Sequence, residues 1–200
     1  MPPVYSQIQR ECYEDSAPKP VAALPELPVK TPPPGATIQL LRQAMVLEAY
    51  APHLSAALAK PDAAADFDDI EKVIGELYDS AYDYRVGINL IERSAIDWPD
   101  MARIFYEGFR PQLLEALESY LKRGIVLGAL QPTADLAVAA RFIVETIAWF
   151  AIHRHGDPGP SAFSDEAARE GVIGLIAASI RMRPEREPRE ESHPPATPRG

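Results

Sequence analysis

Two hundred residues carry 29 acidic against 20 basic side chains, a formal charge of −9, and one cysteine, Cys12. Such a surface repels phosphate on average, which disfavours nucleic-acid binding through bulk electrostatics, and a single thiol builds neither an internal disulfide nor a Cys/His zinc framework. The opening MPPVYSQIQRECYED has no basic n-region or apolar h-region, and no apolar run reaches the roughly 18 residues of a membrane span, so no membrane association is expected and the cytoplasm is the simplest address.

Prolines set the expected limits of the folded part. Nine of the 21 fall in residues 1–34 and five in 184–200, where they exclude regular helix or strand. The expectation is a disordered proline-rich arm over 1–35, one folded unit over 36–183 and a disordered tail over 184–200. A PxxP ligand in the arm is conceivable, but such triplets arise by chance in any proline-rich segment.

From Thr37, a candidate N-cap, a helix carries Ile38, Leu41, Met45, Leu47 and Leu54, with Pro52 expected to kink or split it near residues 48–50. Acidic residues 62–69 lead into a helix on which Ile70, Val73, Ile74, Leu77, Tyr78, Ala81, Tyr82, Arg85, Val86, Asn89 and Leu90 follow helical spacing. Asp97 with Asp100 resembles a capping box, and a short helix over 98–107 is expected to end at Gly108. Pro111 opens the next helix, whose inner face is Leu113, Leu114, Leu117, Tyr120, Leu121 and Ile125, with Gly128 as its C-terminal cap.

Residues 134–153 then form a helix that is apolar on two sides. Leu136, Ala139, Ala140, Ile143, Val144, Ile147, Phe150 and Ala151 make one wide stripe, and Val138, Phe142 and Trp149 lie off it. A helix of this kind must pack on two sides. Ser164 caps the last helix, where Val172, Ile173, Leu175, Ile176 and Ile180 alternate with small Gly171, Gly174, Ala177 and Ala178. The pair points to docking against a second copy, with Phe142, Thr146, Trp149, Phe150, Ile173, Ile176 and Ile180 as the expected dimer interface. No strand with sustained two-residue alternation appears, so the expected fold is all-α, a bundle of about six helices.

The segment 83–182 resembles the C-terminal regulatory domain of the TetR family of bacterial transcriptional regulators. The resemblance rests on Phe105-Tyr106-Glu107-Gly108-Phe109-Arg110-Pro111, on Leu113 to Tyr120 running into Leu121-Lys122-Arg123-Gly124 and Gly128-Ala129-Leu130, and on Asp135 with Ala139-Ala140 opening the next long helix. It implies a helical bundle whose last two helices form a four-helix dimer interface, and whose middle helices enclose a pocket for a small apolar ligand. The family's DNA reader is a three-helix unit ahead of this domain. Residues 1–34, with nine prolines and no glycine, cannot build one. The expected state is a homodimer, or a heterodimer with a full-length family member, and DNA contact requires a head supplied elsewhere.

Within that frame Tyr78, Tyr82, Arg85 and Asn89 stand at steps of four, three and four on one helix face and, with Trp98, Phe105 and Phe109, are the candidate ligand pocket. The alternative is core packing with polar tips reaching solvent or backbone. His153 and His155 point to different sides of a helix and make no ready chelate; His53 beside Pro52 reads as surface. Asp62, Asp66, Asp68 and Asp69 lack the glycine and terminal glutamate of an EF-hand loop. Neither a metal nor another cofactor is expected. No GxSxG, phosphate loop or HExxH occurs, so a catalytic role has no candidates, and an enzyme is expected less than an interaction module using the bundle as a dimeric scaffold.

Overall fold

The structure is a computed structural model, in which residues 33–60, 70–159 and 162–181 are described. Those residues are mostly helical and contain no β-strand. The proline-rich arm up to residue 32, with Cys12, the acidic residues 62–69 and the tail from residue 182 lie outside them.

Three short helices open the fold: α1 (Ala36–Ala44), α2 (Leu47–Tyr50) and α3 (Pro52–Ala59). Gly35, at φ +81°, stands at the N-cap of α1, which places Thr37 inside the first turn instead of at the cap. Pro52 occupies the first turn of α3, where its missing N–H costs nothing, so the split falls just before it as its chemistry demands. A second break, at extended Val46, had no sequence signal.

The long helix expected over 70–90 is two helices, α4 (Ile70–Asp83) and α5 (Arg85–Ser94), joined at Tyr84 (φ −88°, ψ 2°). Next, α6 (Pro99–Ala102) runs without interruption through a π-helical turn, Arg103–Phe109, into α7 (Arg110–Val126). Gly108 therefore does not end a helix. The wider turn lets the Arg110 N–H reach the Phe105 carbonyl and absorbs the hydrogen bond that Pro111 cannot donate. Gly128, at φ +73°, closes α7 as expected, with the Ala129 N–H on the Gly124 carbonyl at 2.9 Å.

The last pair is α8 (Leu136–Ala151) and α9 (Asp165–Ile180). The Asp135 side chain caps α8 through the Val138 N–H at 3.0 Å, and Ser164 caps α9 through the Ala167 N–H at 3.1 Å. Between them a 3-10 turn, His153–Gly156, reverses the chain. An isolated bridge, Leu130 to Arg181, ties the end of α9 to the loop after α7.

Helix α4 is the axis of the bundle, with α8 and α9 against it and α3 and α5 at its flanks, while α7 packs on α3 and α8. Ile70, Ile74 and Leu77 of α4, Leu117 and Tyr120 of α7, and Ile143 of α8 are almost wholly removed from water. Each such side chain contributes about 1.5–3 kcal/mol of transfer free energy, which is what holds short helices of modest propensity in place. Helix α9 approaches closely where α4 has no side chain: a Cβ on Gly75 would meet Ile173 Cδ1 at 3.5 Å. Arg169 of α9 grips Asp79 of α4 with both guanidinium arms, at 2.6 and 2.7 Å.

Candidate functional site

Three features follow from this arrangement. The first is a cavity of about 60 Å³ bounded by α2, α4, α5, the π turn, α7 and α8. Its wall is mostly aliphatic, from Leu77, Ala81, Ile88, Leu113, Val144, Ile147, Ala148 and Ile152, with an aromatic side made by Tyr50, Phe105 and Phe109. Tyr50 meets Phe109 edge-on at 5.0 Å, and Phe105 stacks on Phe109 at 6.3 Å. Burial, with Tyr84 beside it, pushes the Tyr50 hydroxyl far up, so that hydroxyl stays protonated.

Three ionisable side chains complete the cavity: Glu92, Arg110 and His153. Arg110 is committed outward, in an ion pair with Glu145, which also takes Arg141 at 2.6 Å. Glu92 has His153 Nδ1 at 3.8 Å, beyond hydrogen-bond reach. Tyr106 is near both charges: burial first, then the Glu92 carboxylate, raises its hydroxyl against the opposing effect of Arg110.

The second feature is a polar knot where α8 turns towards α9. Arg154 is buried, 6% exposed, and pairs with Asp165 while its Nε donates to the Phe150 carbonyl at 2.7 Å. Tyr82 donates to the same carboxylate at 2.9 Å, and the Arg85 guanidinium lies 4.1 Å above the Tyr82 ring. Partial burial alone would raise the Asp165 carboxyl, but the hydrogen bonds from Tyr82 and Arg154 and the charge of Arg154 hold it below the usual range. His155, edge-on to Tyr82 at 5.5 Å, is pushed down by burial and by Arg154.

The third is an apolar groove of about 360 Å³ on the outside of α8 and α9. Phe142 (59% exposed) and Leu175 (75%) stand in it, with Trp149 (45%) beside them. Its floor includes Thr146, Phe150, Ala167 and Gly171.

The structure thus distributes the residues proposed from sequence. Phe105 and Phe109 line the cavity. Tyr78 does not: it is in the core, its hydroxyl 3.4 Å from the Phe150 carbonyl. Tyr82 and Arg85 stay together across the break at Tyr84, with an Arg85 guanidinium N–H donating to the Tyr82 carbonyl at 2.7 Å, but they belong to the knot and not to the cavity. Asn89 is half-buried outside the cavity lining, and Trp98 is an exposed N-terminal neighbour of α6. Of the residues expected at a dimer interface, Phe142, Thr146, Trp149 and Phe150 lie on the outer side of α8, with Ile180 half-buried at the end of α9. Ile173 instead faces α4, where the close approach at Gly75 draws that side of α9 into the core, while Ile176, though buried, borders the outer groove.

The cavity's polar residues carried no signal in sequence. Glu92 and Arg110 read as ordinary charges on amphipathic helices, and only Ile88, one turn before Glu92, hinted at the inner side. Glu76 of α4 caps the first turn of α3, its carboxylate accepting from the His53 backbone N–H at 2.7 Å. Among the described residues, no three His, Cys, Asp or Glu side chains gather as a metal-ligand set. One stretch, Leu136–Gly156, is long and apolar enough to cross a membrane, yet it includes Arg141 and Glu145 and buries Ala140, Ile143, Ile147 and Ala151 against the bundle. No protein-family model matches this chain, and searches of curated proteins and solved structures give no match either.

Proposed function

We propose that this chain is a non-enzymatic, cytoplasmic ligand-sensing and dimerisation domain of the kind found in TetR-like regulators. One observation carries it: α8 lines the cavity with Val144, Ile147 and Ala148 and presents Phe142, Thr146 and Trp149 outward. A ligand that repositions the inner side of this helix also repositions the outer one. That is the coupling a sensor needs, with two packings of α8 populated differently in the free and bound protein.

The outer face suits a second copy because it holds both halves of a fit. Phe142, Trp149 and Leu175 are projections, and Gly171 and Gly174, with open space beyond their Cα atoms, are recesses. A two-fold axis brings each projection to the other copy's recess. Such a dimer would serve transcriptional regulation, its ligand shifting the pair between DNA-competent and DNA-incompetent forms.

Sedimentation equilibrium of the full chain tests this reading. A dimer at micromolar concentration is expected, and Trp149→Ala should weaken it by about 2–4 kcal/mol, or roughly 30- to 1,000-fold in dissociation constant. A wild-type chain that remains monomeric at tens of micromolar defeats it.

A further inference from the structure

We infer that the cavity takes a compact organic cation, an apolar body of a few carbons ending in a protonated amine that docks on Glu92. The inference rests on the ligand-sensing reading and specifies the chemistry of that site.

The charges facing the cavity decide the sign. Arg110 already has Glu145 for a partner, so an anionic ligand entering here would have to compete with an existing ion pair and would face Glu92 as well. Glu92 is the more loosely partnered charge, with His153 Nδ1 at 3.8 Å as its ion-pair neighbour and no hydrogen bond between them. Its side chain is only 26% exposed, and His153 Nδ1 stands too far off to donate to it. A carboxylate largely removed from water gains most from a cation placed within hydrogen-bond distance. The aromatic side adds to the preference, since the negative π-face of a ring such as Tyr50, Phe105 or Phe109 attracts a positive group while the ring excludes water.

Size then limits the class. A cavity of about 60 Å³ holds several water-sized groups but falls well below the roughly 300–1,000 Å³ of drug-sized sites. A short alkylammonium fits that space; a fused-ring ligand does not.

Three probes of nearly equal shape separate the possibilities: n-butylammonium, 1-butanol and butyrate, each titrated into the full chain and followed through backbone amide shifts of α5 and α8. Butylammonium is expected to bind at least 10-fold more tightly than butanol, butyrate not to bind, and Glu92→Gln to erase the advantage of the amine while leaving butanol unchanged. Equal affinity for amine and alcohol, or an amine affinity that Glu92→Gln does not alter, overturns the cation and leaves the apolar site standing. If no probe shifts the amides around the cavity at millimolar concentration, the ligand-sensing reading fails with it. Matching melting temperatures for the wild type and Glu92→Gln establish that the comparison is between folded proteins.

Discussion

Helix α8 has two apolar sides with opposite fates. Its inner side, Ala140, Ile143, Ile147 and Ala151, is sealed against α4, α7 and α9, while Val138, Phe142 and Trp149 on the outer side stand in solvent. Hydrophobicity does not separate them, since every one of these residues is apolar. The difference lies in what the rest of the chain supplies. It has enough helices to cover one side and leaves the second in solvent. An inner residue therefore contributes to folding, and in the proposed dimer an outer one would contribute to assembly.

Substitutions matched on the two sides break that comparison if it is wrong. Ile143→Ala leaves a cavity among fixed neighbours and should lower unfolding free energy by about 3 kcal/mol in urea melts. Val138→Ala, on a side chain still in water, should stay within about 0.5 kcal/mol. Comparable losses at the two positions would mean that the outer side is already packed.

A smaller effect comes from the knot that joins the two sides at the end of α8. Arg154→Met removes the bonds to the Phe150 carbonyl and Asp165 and should cost about 2 kcal/mol at pH 7. The cost should fade in acid. Asp165 titrates lower in the folded chain than in the unfolded one, so its contribution is complete above the unfolded value of about 3.9 and is lost as pH falls through the folded value. His155, also lowered, adds a loss of the same sign that begins below about pH 6.5 in the wild type. Urea melts of both proteins at pH 7 and pH 3.5 measure this; a gap that widens in acid contradicts the pairing.

How much of this was legible beforehand depends on the range of the interaction. Caps and breaks written in neighbouring residues, such as Ser164, Gly128 and Pro52, stand where local chemistry places them. The two-sided character of α8 was equally plain from its period. What failed was continuity. A helical spacing from Tyr78 to Asn89 looks unbroken, but the chain bends at Tyr84, so Arg85 stays beside Tyr82 while Asn89 does not join the cavity, and nothing in the residue types at 83–85 forbids a helix. The same holds at Gly108, where a strong breaker is overridden because the π turn keeps Phe105 and Phe109 on the cavity. Orientation failed too. Ile173 and Leu175 have the same affinity for an interior, and only the approach of α9 to Gly75 decides that the first is inside and the second outside.

Glycines sharpen the comparison most finely, because here the expected signs differ. At Gly174 an added Cβ meets nothing within 4 Å in the single chain, and the position is mid-helix. Gly174→Ala should therefore stabilise the monomer by about 0.5–1 kcal/mol through helix propensity alone. In the proposed dimer the same methyl fills a recess meant for a neighbour's side chain, so association should weaken by several-fold. Thermal melts at low concentration and sedimentation at high concentration separate the two effects. A variant that gains stability and also dimerises more tightly would place the contact surface elsewhere. Opposite signs at one residue are hard to obtain unless the outer side of α9 is solvent-facing in the single chain and covered in the pair.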